Sequence, residues 1–352
     1  MARHRPVHVY AGVNRVQGGP LGGVFRLIPG EDRWEQLGNG IPKNGHVHMV
    51  VVHPRDPDLV FAATDDGPYR SLDAGNSWAR TDFPERNLNV WSILVHPTDP
   101  NIVYAGTAPI GLWRSEDGGE TWRAMPKPAV PERFKISFDH RVMKLAVNPR
   151  LPDEIFAALE VNGVMRSRDR GESWEDCNPG LIKLSDRPHL QNHALCDAPY
   201  EGMLDGHAIC ASAAAPGSVI FAGRMGLFRS DDEGGHWQDM ELGRQAHLPY
   251  SRDILVSPHD PRTLFVGVGV SVKNDAGAIY RSDDLGRNWK RFDHSLAVDS
   301  SVMRVAVDQI DPNHVYGAVR YGSVIGTQDG GKTWSDYPLP KGCTGVFSVA
   351  CG

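Results

Sequence analysis

Short apolar runs recur along this chain, each set off by polar turns, and they follow one order many times over. A first run often ends at a proline turn: HMVVVHPRDP (48–57), WSILVHPTDP (91–100), MKLAVNPRLP (143–152) and ILVSPHDP (254–261). A second follows at once: LVFAAT, IVYAGT, IFAALE, VIFAGR, LFVGVG and HVYGAV. A third, such as GPYRS, GLWRS, GVMRS, GLFRS or AIYRS, leads into a polar turn that ends in tryptophan. Runs of this length, rich in β-branched and aromatic residues and bounded by Gly, Pro and Asp, predict strands.

The polar turn is itself a repeat, Ser/Thr-x-Asp-x-Gly-x-x-Trp. It reads SLDAGNSW from Ser71, SEDGGETW from Ser115, SRDRGESW from Ser167, SDDEGGHW from Ser230, SDDLGRNW from Ser282 and TQDGGKTW from Thr327. The starting positions differ by 44, 52, 63, 52 and 45 residues, the period of propeller blades. With a short fourth strand after each tryptophan, every unit is a four-stranded antiparallel blade. The N-terminal segment supplies HVYAGV, GGVFRL and RWEQL, which match strands two, three and four, around a decayed box, LIPGEDRW. The chain ends in TGVFSVACG, a first strand without a blade. The predicted fold is therefore all-β: a seven-bladed β-propeller spanning 1–352 as one domain. Its C-terminal strand joins the N-terminal blade and removes the open sheet edge.

These boxes resemble those of the Asp-box (BNR-repeat) propellers, which include sialidases, xyloglucan-type glycosidases, sortilin-type receptors and photosystem II assembly factors, within a wider WD40/YVTN-like architecture. The resemblance implies that the box turns sit at the periphery, away from the ligand face. The box chemistry agrees. A short carboxylate accepts N–H bonds within its own turn, glycine serves a positive φ, and tryptophan packs between blades. The aspartates of the boxes (Asp73, Asp117, Asp169, Asp232, Asp284, Asp329) are accordingly read as structural. The Arg-Ile-Pro element of sialidases has only FRLIP (Phe25–Pro29) as a counterpart, so no sialidase role is carried onto Arg26.

Composition narrows the function classes. With 37 Lys+Arg against 43 Asp+Glu, the net charge of −6 is dispersed, which argues against nucleic acid or a membrane surface as partner. Cys177, Cys196, Cys210, Cys343 and Cys351 are sparse and unpaired in spacing, and no apolar leader is evident at the N-terminus. Both point to a reducing, cytoplasmic setting.

In a propeller, the start of strand one and the loop after strand two form the ligand face. Those positions hold His46, His48, Trp91, His140, Arg141, His207, Arg252 and Asp253 in one column, and Asp65, Glu160, Arg224, Arg320 and Tyr321 in the other. An inserted loop, 175–205, is expected to cap the channel mouth and carries His189 and His193. The main expectation is an enzyme for a small polar or anionic, sugar-like substrate: a metal-assisted lyase or hydrolase. His46, His48, His207, His189 and His193 would hold one divalent transition metal. Arg141, Arg224, Arg252, Arg320 and Trp91 would bind substrate, and His140, Glu160 and Tyr321 would carry the chemistry. One alternative is a glycoside hydrolase using Glu160 and Asp65, with Asp253 as a third carboxylate. Another is a non-catalytic protein-binding or assembly propeller.

Overall fold

The computed structural model describes residues 7–15, 21–28, 30–133, 136–192, 198–271, 276–294 and 296–352. Seven four-stranded antiparallel sheets follow one another around an axis. Their innermost strands are Val47–His53, Asn89–Val95, Val142–Asn148, Gly206–Ala211, Tyr250–Val256, Val302–Val307 and Val346–Cys351. Each contacts the next, and the last returns to the first, so the ring is complete. The closing blade pairs Val346–Cys351 with Val9–Val13, followed by Gly23–Ile28 and Arg33–Leu37. This is the closure that the orphan strand and the truncated first unit predict.

The core lies between blades, where one face of each sheet meets the next. Side chains such as Tyr10, Phe61, Phe156, Phe221 and Phe265 are almost wholly excluded from water. Burying an aromatic or aliphatic side chain of this kind stabilises by about 1.5–3 kcal/mol. The boxes lock the periphery. In the first, the Gly75 N–H donates to Ser71 Oγ at 2.7 Å, the Ser77 N–H donates to Asp73 Oδ1 at 2.8 Å, and Trp78 Nε1 donates to the Gly75 carbonyl at 3.0 Å. The residue before each box glycine also has positive φ, including the non-glycines Ala74, Arg170, Glu233 and Leu285. A Cβ at Gly75 (φ +87°) would sit 2.9 Å from Leu37 Cδ1, so that position needs glycine for space as well as for conformation. Two of the box tryptophans bond across blades: Trp122 donates to Thr81 of the preceding blade, and Trp237 donates to the Cys177 carbonyl. The proline-turn histidines lie with the boxes on the lower face, where His96 and His259 bond the Pro152 and Asp308 carbonyls of following blades.

A regularity invisible in the repeat grammar sits at the start of the inner strands. Every one of them carries a β-bulge at its second or third residue, where two residues oppose one on the neighbouring strand. The extra residues are His48, Trp91, Met143, His207, Arg252, Met303 and Phe347. A bulge leaves its extra residue unpaired and re-aims its side chain. Here all seven line a narrow throat of about 10 Å3 on the axis, so little of the channel stays open.

The insertion is ordered over most of its described length. It contains a short helix (Pro179–Leu184) and 3-10 turns at Pro188–Leu190 and Gly202–Leu204. Leu181, Leu190, Met203 and Leu204 pack into the interface of blades four and five. The segment is thus anchored over that junction, to one side of the axis.

Candidate functional site at the upper mouth

Above the throat, blades four to six converge on a cluster of charged groups. Glu160 follows the second strand of blade four, Asp205 leads out of the insertion into the first strand of blade five, and Arg224 follows that blade's second strand. Backbone bonds fix these loops: the Glu160 N–H donates to the Arg141 carbonyl and the Arg224 N–H to the Asp205 carbonyl. Arg141 lies 3.0 Å from Glu160 Oε2. Arg224 grips Asp205 Oδ2 through both Nε (2.8 Å) and Nη2 (2.7 Å). His207 Nε2 is 3.6 Å from the same oxygen, while its Nδ1 is 2.8 Å from the Ser251 carbonyl. The Arg252 guanidinium donates to the Tyr250 hydroxyl at 3.1 Å, and the Tyr250 ring meets His207 edge-on.

The two carboxyl groups are driven in opposite directions. Burial raises Glu160 to about 7; Arg141 opposes this, Asp205 adds to it, and Arg252 and Arg224 oppose it further. Burial also works against ionised Asp205, yet His207 and Arg224 hold its carboxyl well below the usual range. The arginine carries that effect at neutral pH, because burial and Arg252 disfavour the charged imidazole of His207. Near pH 7 the site therefore holds one carboxyl poised between its acid and its carboxylate form and one fixed carboxylate, a separation typical of acid–base sites. Asp205 was not among the sequence candidates. Its signal was its position immediately before an inner strand, obscured because the insertion runs straight into it.

Several expected roles change. Trp91 offers no free face to a substrate: the His48 ring stacks on it with centroids 3.9 Å apart, and the Arg141 guanidinium lies 4.2 Å from its centroid. A cation and a ring this close to the centre must occupy opposite faces. Asp65 belongs to blade two, across the axis, where its N–H donates to the His46 carbonyl, so Asp205 takes the place expected for it. Asp253 is wholly buried in the channel wall, receiving Lys144 Nζ at 2.5 Å and the Val305 N–H at 2.9 Å. Tyr321 is exposed at the rim and Arg320 lies over its ring; the tyrosine inside the cluster is Tyr250. His140 Nδ1 is engaged by Asn162 Nδ2 at 2.8 Å, and the residue lines a separate cleft of about 550 Å3 with Phe138 and Ile110.

The metal set does not assemble. Among the described residues no three His, Cys, Asp or Glu side chains converge as a metal cage. His48 spends Nδ1 on Asn14 and one ring face on Trp91. His46 stacks near it at 6.3 Å. His207 is held by Ser251 and Asp205. His189 sits in a 3-10 turn and pairs with Asp239 on the far side of the insertion. His193 lies outside the described residues. Among the described residues these donors do not gather around one point.

Beside the cluster, a cavity of about 530 Å3 runs between the insertion and blades five and six, lined by His189, Asn192, Arg224, Tyr250, Glu241 and Arg244 among others. It has the size of a small-molecule site and reaches the charged cluster through Arg224 and Tyr250.

Fold and site together define a seven-bladed propeller with an acid–carboxylate pair at one mouth. Comparison with known proteins gives that class its neighbours. A family model described as sortilin, neurotensin receptor 3, matches residues 66–198. The chain is 25% identical over 318 residues to an oligoxyloglucan-reducing end-specific xyloglucanase of Emericella nidulans, covering 77% of this chain and 37% of that protein. It is 25% identical over 320 residues to a xyloglucanase of a Paenibacillus species, covering 29% of it. The chain thus spans about a third of the length of these curated relatives. Among solved structures, the GH74 xyloglucanase from Xanthomonas campestris superposes with a TM-score of 0.63 at 17% identity, over 94% of this chain and 52% of that one. YCF48 bound to D1 peptide superposes with a TM-score of 0.54 at 16% identity, over 84% of this chain and 82% of that one.

Proposed function

We propose that this propeller is a glycoside hydrolase acting on a sugar-like, anionic substrate at its upper mouth. The observation that carries the reading is the pair Glu160 and Asp205, two neighbouring carboxyl groups whose environments push their proton affinities apart. Glu160 donates its proton to the glycosidic oxygen as the C–O bond breaks, and the departing sugar leaves as an alcohol. Asp205, kept ionised by Arg224, supplies negative charge to the oxocarbenium-like transition state, and water adds to the anomeric carbon while its proton passes to the Glu160 carboxylate, restoring the acid. Arg141 and Arg252 add positive charge that favours a substrate with its own anionic group. The xyloglucanase relatives support sugar chemistry, although this chain covers only 37% and 29% of them.

Turnover of a panel of aryl glycosides, aryl uronides and xyloglucan oligosaccharides tests this. Glu160→Gln is expected to lower kcat by roughly 10²–10⁴-fold, the usual contribution of a general acid. Unchanged turnover in that variant would overturn the assignment. A second reading, a peptide-binding module, is favoured by one observation: the chain matches YCF48 over most of both lengths. In that case no glycoside is turned over, and substitutions at Arg141 and Arg252 weaken capture of a peptide instead.

A further inference from the structure

Directly beneath the charged cluster, the throat has an unusual inventory of polar atoms. Four of its lining residues carry a ring or guanidinium N–H that is buried and has no hydrogen-bond partner: His48 Nε2, Trp91 Nε1, Arg252 Nε and Arg304 Nε. His48 is neutral, since burial brings it down to about 3, helped by His46 and Arg141. The Asn14 amide donates to its Nδ1, which leaves the proton on Nε2. The Asn89 amide lies near this ring but makes no hydrogen bond to Nε2. All four orphan groups are therefore donors. The remaining lining residues are Met143, Met303 and Phe347, which accept poorly or not at all, and His207, whose nitrogens face Ser251 and Asp205.

Charge points the same way. Two guanidiniums border the cavity; of the carboxylates that touch its lining, Asp253 is 3.7 Å from Arg304 but already holds Lys144, and Asp205, 3.6 Å from His207, is gripped by Arg224. Burial disfavours the Arg304 cation; Asp253 offsets this and Arg252 deepens it. A buried N–H left unpaired is costly, and four around one void call for a shared acceptor. A water there would satisfy some donors, but its own two hydrogens would meet only sulfur and aromatic carbon.

We propose that the propeller throat is a binding site for one small monovalent anion of the halide class, held by His48, Trp91, Arg252 and Arg304. The cavity, about 10 Å3, has room for one guest near the size of a water molecule, which excludes carboxylates and phosphate. The proposal stands independently of the sugar-hydrolase reading, because the halide sits below the catalytic pair and takes no part in the reaction.

The test compares thermal unfolding of the whole protein in sodium chloride, sodium bromide and sodium gluconate at matched ionic strength, together with anomalous diffraction from crystals grown in bromide. Tm is expected to rise and saturate with chloride and bromide but not with gluconate, and one bromide peak should appear on the axis between these four residues. Trp91→Phe, which keeps an aromatic ring in the stack and removes one donor, should weaken the apparent halide affinity about tenfold. Arg304→Met should abolish the response. Equal Tm in chloride and gluconate with no axial bromide peak means a water occupies the throat and overturns the proposal. A halide response that survives both substitutions places the site elsewhere and overturns it equally. If Arg304→Met does not fold, the Trp91→Phe titration and the bromide peak decide.

Discussion

Replacing Glu160 by glutamine should make the protein more stable in alkali while it removes activity, and the size of the gain follows from the site. The ordinary value for a glutamate, 4.5, is raised to about 7 by burial. The unfolded chain therefore loses this proton near pH 4.5 and the folded protein only near pH 7. Across that interval the unfolded state binds fewer protons, so stability falls as pH rises. At 1.36 kcal/mol for each pKa unit, the loss approaches about 3 kcal/mol above pH 7 and is absent below pH 4.5. Glutamine has no such proton and escapes the loss. Urea unfolding of both proteins at pH 4.5, 6 and 8 measures it. The variant should match or fall slightly below wild type at pH 4.5, where the neutral acid and the amide are close isosteres, and should exceed it by about 3 kcal/mol at pH 8. A gap between the two that does not change with pH refutes the premise that Glu160 is protonated in the folded site. A group kept at the expense of stability is typical of functional positions.

Two further outcomes follow from the frame of the molecule. Asp73→Ala removes the acceptor for the Ser77 N–H and hydroxyl, so it should cost about 1–2 kcal/mol in denaturant unfolding with no change in glycoside turnover; a loss of turnover without a loss of stability would place the boxes in the site. Removing Val346–Gly352 strips blade one of its inner strand and exposes Val9, Ala11 and Val13. With roughly 1.5–3 kcal/mol at stake for each large buried side chain, the truncated chain should yield no cooperative unfolding transition, and a normal transition would contradict closure by that strand.

The blades were legible because each repeat states the same physical demands: a turn carboxylate, a positive-φ glycine and an apolar plug. Even the decayed first box keeps its plug, with Trp34 donating to the Tyr337 carbonyl of the adjoining blade. The site was legible only in part. Glu160, Arg141, Arg224 and Arg252 sat at the expected strand ends. The bulges were hidden, because one extra residue shifts which side chains face the axis and nothing in an apolar run marks it. That is why Asp253, one residue beyond the bulge, was read as a mouth residue and lies in the wall, and why Met143, Met303 and Phe347 escaped notice. The histidines misled because their number was visible and their partners, Asn14, Ser251, Asp239 and Asn162, were not.

The ring of bulges also separates two design problems. Because the extra residue in each inner strand takes no part in the ladder, its identity is nearly free of the sheet's own requirements. Seven consecutive blades thus give seven variable letters around one axis, with His48 and Trp91 to be changed together because their rings stack. Rewriting them would change the electrostatic character of the throat, from donor-rich to acidic or fully apolar, while leaving every strand pairing as it stands. A library confined to residues 48, 91, 143, 207, 252, 303 and 347 would explore that alphabet within a single unaltered scaffold.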